Sequence, residues 1–235
     1  MGKSPQPARD KERHGEMERQ HRGFSAERRF ADNLPAMELS NSYTAKDDGR
    51  IWGIPVSIKS TRIPGEMCLG SASRIFSCSY PLLLFAEHRQ RDTNAPYGFD
   101  VLALPDGFYG TLPPSCRGTI VQAVRTYDAY MRQDADCSRE HDYEWHERID
   151  VLGQRYQEAC AISGMPAWIA MRPKRGHHGQ HRLQCAIPKD SYWAFVTTYR
   201  AFPNIGTFMY SRLDTSAWAE LDGRLRQLSK ALSSN

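Results

Sequence analysis

The sequence predicts an α/β protein with a mixed central β-sheet flanked by helices and an additional basic β-hairpin. Three observations predict it. From Ile54 to Lys59 apolar and polar residues alternate, the period of a half-buried strand. Leu82 to Ala86 and Phe99 to Leu104 are short continuous apolar runs between turn-rich segments, as buried strands are. Residues 118–132, 143–162 and 216–232 repeat their apolar positions on a helical period.

A chain of 235 residues with 40% hydrophobic and 25% charged residues has enough interior for a real core. No apolar run approaches the roughly 20 residues of a membrane span, and the N-terminus shows no apolar stretch of a secretory signal. The six cysteines form no C-x-x-C pair and read as reduced thiols, so the expected compartment is the cytoplasm. The net charge of +4 is modest but unevenly spread. Between Ile169 and Leu213 the only acid is Asp190, whereas residues 134–150 are rich in Asp and Glu. A basic half beside an acidic patch suggests a surface that meets a polyanion.

Residues 1–22 are polar without an apolar face and read as disordered or loosely attached. Gly23 to Leu34 reads as a helix with Ser25 as N-cap and Pro35 as its stop. Glu27, Phe30, Ala31 and Leu34 then share one face, which places a carboxylate in line with an apolar stripe. Such a Glu either favours the helix dipole or meets a cation. Met37 to Thr44 and Ile51 to Lys59 read as a hairpin turning at Asp48-Gly49, which sets Glu38 opposite Lys59 and on the face of Ser57. Asp47 and Asp48 are turn residues by type, also able to reach a cation at the rim. Residues 62–80 give no clear pattern. Trp168 to Met171 and Arg182 to Ile187 form the second hairpin, whose tip at residues 173–180 is basic and free of acids. Arg172, Lys174, Arg175, His177, His178, Arg182 and Gln184 there suit a DNA groove, since Arg and Gln read base edges and Lys meets phosphate.

Phosphodiester hydrolysis needs a divalent cation on oxygen ligands beside the phosphate and a cation to stabilise developing charge. Glu27, one acid among Glu38, Asp47 and Asp48, and Lys59 supply those groups. A helix carrying a Glu, followed by a hairpin whose second strand reads VSIKST after DDGRIWGIP, resembles the PD-(D/E)xK nuclease superfamily, which includes restriction endonucleases and Holliday-junction resolvases. The resemblance covers residues 23–61. It implies a restriction-endonuclease-like mixed sheet, Mg2+ as cofactor, and Lys59 as the motif lysine. It further implies Glu27 as the helix Glu and Ser57 in the position of the second acid. Some restriction enzymes with Ser there take the acid from further along, for which Glu66 and Glu87 are the candidates.

The expected protein is a Mg2+-dependent, site-specific DNA endonuclease of restriction type. Residues 23–235 would form a single domain, with 23–132 as its catalytic core and 133–235 contacting DNA, and palindromic cutting would require a homodimer. Glu27, Glu38, Asp47 and Asp48 are the candidate metal ligands. The alternative is a non-catalytic nucleic-acid-binding protein with a degenerate nuclease core, which Ser57 favours. Cys160, His177, His178, His181 and Cys185 are of zinc-ligand type but lack zinc-ligand spacing.

Overall fold

A computed structural model describes residues 25–40, 47–133, 139–174 and 182–233. The architecture is mixed α/β. Its centre is a six-stranded sheet whose strands, in spatial order, are Met37–Leu39 (β1), Gly49–Ile51 (β2), Ile54–Ile63 (β3), Leu82–Gln90 (β5), Pro96–Leu104 (β6) and Phe208–Met209 (β9). Helix α1 (residues 25–33) leads into β1 (Met37–Leu39), β2 (Gly49–Ile51) and β3 (Ile54–Ile63), which form an antiparallel meander. The chain then crosses over through β4 (Met67–Ser71) and α2 (Ala72–Phe76) to reach β5 (Leu82–Gln90), which runs parallel to β3. Strand β6 (Pro96–Leu104) returns antiparallel to β5.

Helices α3 (Arg117–Gln133) and α4 (Arg139–Ile162) follow. Strands β7 (Ala170–Lys174) and β8 (Arg182–Ile187) join β4 in a second, three-stranded sheet of order β4-β8-β7. Helix α5 (Tyr192–Tyr199), the short β9 (Phe208–Met209) on the edge of β6, and α6 (Thr215–Ser233) complete the chain. The later residues are therefore woven into the earlier ones: β8 pairs with β4, and β9 with β6.

The alternation of β3 decides how the large sheet is packed. Ile54, Val56 and Ile58 join Leu83, Phe85, Phe99 and Val101 on one face, where Ala26 and Phe30 of α1, Leu34 just after it, and Trp218, Leu221 and Leu225 of α6 cover them. Leu82, Leu84, Ala86, Leu102 and Leu104 point to the other face, into a core with α2, α3, α5 and the small sheet. With both faces covered, β5 reads as a continuous apolar run.

Two expectations about the first hairpin are corrected. Of the expected strand Met37 to Thr44, residues Met37–Leu39 do not pair with β3, because β2 lies between them, and residues 41–46 lie outside the described residues. The tight turn falls at Trp52-Gly53, both with positive φ (50° and 83°), rather than at Asp48-Gly49. This is the backbone that a two-residue hairpin of native twist requires. Glu38 consequently faces Arg50, not Lys59.

Candidate active site

Strand β2 begins at Gly49, paired with Val56, so beyond that point it no longer covers the outer edge of β3. An exposed strand edge leaves backbone donors in need of partners. Asp48 supplies one. Its Oδ2 accepts a hydrogen bond from the Ile58 amide at 2.6 Å, and the same atom accepts from Ser57 Oγ at 3.1 Å and from Lys59 Nζ at 3.0 Å. Lys59 Nζ also donates to the Ile58 carbonyl at 3.2 Å. One carboxylate thus fixes a strand edge, a hydroxyl and an ammonium. Lys59 and Asp48 are 19% and 20% exposed at their side chains, so their ion pair is largely shielded from solvent yet still reachable.

Glu27 comes to this edge from α1, half-buried above it. Burial pushes its carboxyl above the usual range, the Asp48 charge pushes it further the same way, and Lys59 opposes both. Asp48 behaves differently. Burial raises it, but Lys59, the Ile58 amide and the Ser57 hydroxyl outweigh burial and hold it below the usual carboxylate range. The site therefore pairs a stabilised anion with one that its surroundings resist.

Mg2+ asks for oxygen ligands and is commonly held by one or two carboxylates together with waters and substrate phosphate. Glu27 and Asp48 fit that requirement. Among the described residues, the hydrogen bonds to Asp48 all end on Oδ2, and the raised affinity of Glu27 for a proton is a preference for added positive charge. Ser57 adds a neutral oxygen. Among the described residues no group of three or more His, Cys, Asp and Glu side chains converges as a metal site. Among the described residues the carboxylates at this edge are Glu27 and Asp48.

The structure therefore brings together Glu27, Asp48, Ser57 and Lys59, and leaves the other two acids apart. Glu38 is exposed on β1 and separated from β3 by the width of β2. Asp47 accepts a hydrogen bond from the Tyr80 hydroxyl at 2.9 Å. Glu66 is ion-paired with Arg172. Glu87 is fully buried, ion-paired with Arg29 and Arg89.

On the basic hairpin the register pairs Arg172 with Gln184 and Lys174 with Arg182. Arg172 and Arg182 are exposed. Gln184 is buried, with its amide donating to Cys68 Sγ, and so is not offered to a groove. Arg175, His177, His178 and His181 lie outside the described residues. Of the zinc-type candidates, Cys160 and Cys185 are buried in the core beside α4 and β8.

A second polar cluster was not singled out from the sequence. His88 is fully buried, its Nε2 2.7 Å from Asp100 Oδ2 and its Nδ1 3.1 Å from the Tyr192 hydroxyl. Arg200 and Thr207 complete the partners of Asp100. Burial would raise Asp100, but the His88 and Thr207 hydrogen bonds and the charges of His88 and Arg200 hold it down. The apolar run through Leu82 to Ala86 hides this signal, because Glu87, His88 and Arg89 extend the same strand with polar groups.

Comparison with protein-family models, curated proteins and solved structures finds no match for this chain.

Proposed function

We propose that the protein is a Mg2+-dependent DNA endonuclease, of restriction type, with a restriction-endonuclease-like core. The observation that carries this reading is the convergence of Asp48, Ser57 and Lys59 on one strand edge, with Glu27 brought to it by α1. These are the positions that the resemblance to PD-(D/E)xK nucleases picks out, with Asp48 now in the role of the first acid. The order of helix, antiparallel meander, crossover and parallel strand is a mixed sheet of the kind such a core requires.

In this reading Glu27 and Asp48 hold the metal, with Ser57 as a neutral neighbour. A bound Mg2+ would supply charge neutralisation at the phosphate and a lowered pKa for a coordinated water. Lys59 contributes separately. Two of its three N–H donors are engaged by Asp48 and the Ile58 carbonyl, which aims the ammonium and leaves a third donor for the attacking water or a phosphate oxygen. Arg172 and Arg182 on the hairpin would meet the DNA, and a homodimer would present two such sites to a palindrome.

The test is incubation with long unmethylated duplex DNA in Mg2+ and in EDTA. Discrete fragments should form only with Mg2+, and Lys59→Ala should slow cleavage by about 10²–10³-fold or more while leaving DNA retention on a gel intact. Intact DNA retarded equally with and without EDTA would instead support a non-catalytic nucleic-acid-binding protein. Ser57 and the two-carboxylate set favour that second reading.

A further inference from the structure

Past Ile58, β3 also turns polar on the face opposite Lys59. The register pairs Ser60 with Glu87 and Arg62 with Arg89 between the parallel strands β3 and β5, on the sheet face that α1 covers. Glu87 is fully buried and surrounded by donors. Ser60 Oγ reaches its Oε2 at 2.7 Å, Arg89 Nε reaches the same atom at 2.9 Å, the Tyr210 hydroxyl reaches Oε1 at 3.0 Å, and Arg29 forms an ion pair with it. The guanidinium of Arg29 also lies 5.2 Å from the Tyr210 ring centre.

The loop after β5 holds the outer end. Asn94 sits at positive φ, and its side-chain oxygen accepts from Arg62 Nε at 2.9 Å while its carbonyl accepts from Arg89 Nη1 at 3.2 Å. Arg29 and Arg89 thus share one carboxylate, and Arg62 is tied to them through Asn94, so the three guanidinium groups and one carboxylate carry a local excess of two positive charges, 3 − 1. Arg89 is buried, with Nε and Nη1 hydrogen-bonded and Nη2 ion-paired with Glu87, whereas Arg62 is exposed with only Nε engaged among the described residues, and Arg29, 26% exposed at its side chain, directs its two Nη atoms to Glu87 and to Ser25 Oγ. Excess positive charge fixed by a buried anion, with the exposed Arg62 engaged only at Nε among the described residues, suits a phosphate oxygen. Its place at the carboxyl ends of two parallel strands is where open α/β sheets bind ligands.

This cluster lies on the other face of β3 from Lys59 and is joined to the catalytic candidates through two elements. On β3, Ser60 follows Lys59 directly; on α1, Arg29 follows Glu27 by two residues. We propose that Arg62 forms a second phosphate contact that holds a backbone phosphate of the DNA away from the one at Lys59, with Arg29 adding positive charge and Glu87, Arg89 and Asn94 as the groups that position it. The inference rests on the nuclease reading and names a part of its substrate contact. It assigns strand placement to the large sheet itself, in addition to the basic hairpin.

The test is the salt dependence of duplex DNA affinity, measured in EDTA so that no cleavage intervenes, for wild type, Arg62→Gln, Arg62→Lys and Lys59→Ala. Arg62→Gln should lower affinity at every sequence tried and flatten the log–log salt slope by about one unit, the loss of one phosphate contact. Arg62→Lys keeps the charge and should restore most of the slope. Arg62 is exposed, so its variants should melt like wild type. Wild type binding with a steep slope that Arg62→Gln leaves unchanged would overturn this site while leaving the nuclease reading standing. Wild type without salt-dependent DNA affinity would overturn both.

Discussion

Glu27 and Asp48 are neighbours with opposite relations to their own charge. Glu27 has its carboxyl raised, so the folded state binds that proton more tightly than the unfolded chain. Its contribution favours folding at low pH and is lost as pH rises through the raised value, after which the ionised group opposes folding. Asp48 has its carboxyl lowered, so its contribution is present above the unfolded carboxylate value of about 3.9 and is lost as pH falls through the folded one. Glu27→Gln should therefore raise Tm at pH 7, with the gain fading in acid. Asp48→Asn should lower Tm at pH 7, again with a fading difference in acid. A cation shared by the two reverses the sense at Glu27. At tenfold its Kd, Mg2+ would stabilise the wild type by about 1.4 kcal/mol, roughly 3–6 °C, and neither variant should show that shift. Thermal scans from pH 3 to 8 with and without Mg2+ read all of this, and a full Mg2+ shift in Glu27→Gln would remove Glu27 from the ligand set.

At the scale of elements, the β2–β3 hairpin positions the site. Its turn fixes the register that puts Gly49 opposite Val56 and so brings Asp48 to Ser57 and Lys59. Gly53 has φ +83°, and a Cβ there would meet nothing within 4 Å. Gly53→Ala thus tests backbone strain without a clash. It should cost about 1–2 kcal/mol, a fall in Tm of about 2–8 °C, and an unchanged Tm would mean that the turn rearranges freely. The same hairpin shows why its register was hard to read. Asp48-Gly49 is a strong short-range turn signal, whereas Trp52-Gly53 demands positive φ of a bulky aromatic. The structure tolerates Trp52 there with Arg226 of α6 over its ring at 4.9 Å, a long-range contact that no local pattern contains. Strands β3, β5 and β6 were legible because alternation or continuous apolar runs mark them. Strand β4 was not, since its five residues include Gly70 at φ +116° and a shift in register against β8. Within the site, Lys59 and Ser57 follow from the alternation of β3, while the choice among Glu38, Asp47 and Asp48 depended wholly on the turn.

At the scale of the molecule, the large sheet separates two apolar cores, and only one of them carries the site's helix. Phe30 of α1 is fully buried between Phe85 and Phe99, both at 4.8 Å between ring centres, with Trp218 of α6 at 6.4 Å. Phe195 of α5 is equally buried on the opposite side, against Trp168 at 5.7 Å and Tyr199 at 4.9 Å. Replacing either ring by Leu removes similar contacts, and each should destabilise by about 1–2 kcal/mol, read as a lower urea midpoint at unchanged m. Their effects on metal binding should differ. Glu27 lies three residues before Phe30 on the same short helix, so a loosened ring contact lets α1 shift against β3. A displacement of an ångström is enough to spoil a ligand constellation. Phe30→Leu should therefore shrink the Mg2+-dependent rise in the urea midpoint, whereas Phe195→Leu should lower the baseline and keep that rise. If the two variants lose the rise equally, the sheet transmits packing changes across its thickness and the site is not governed by the α1 face alone. If neither loses it, α1 is held at Glu27 by the charges of Asp48 and Lys59 rather than by its aromatic anchor.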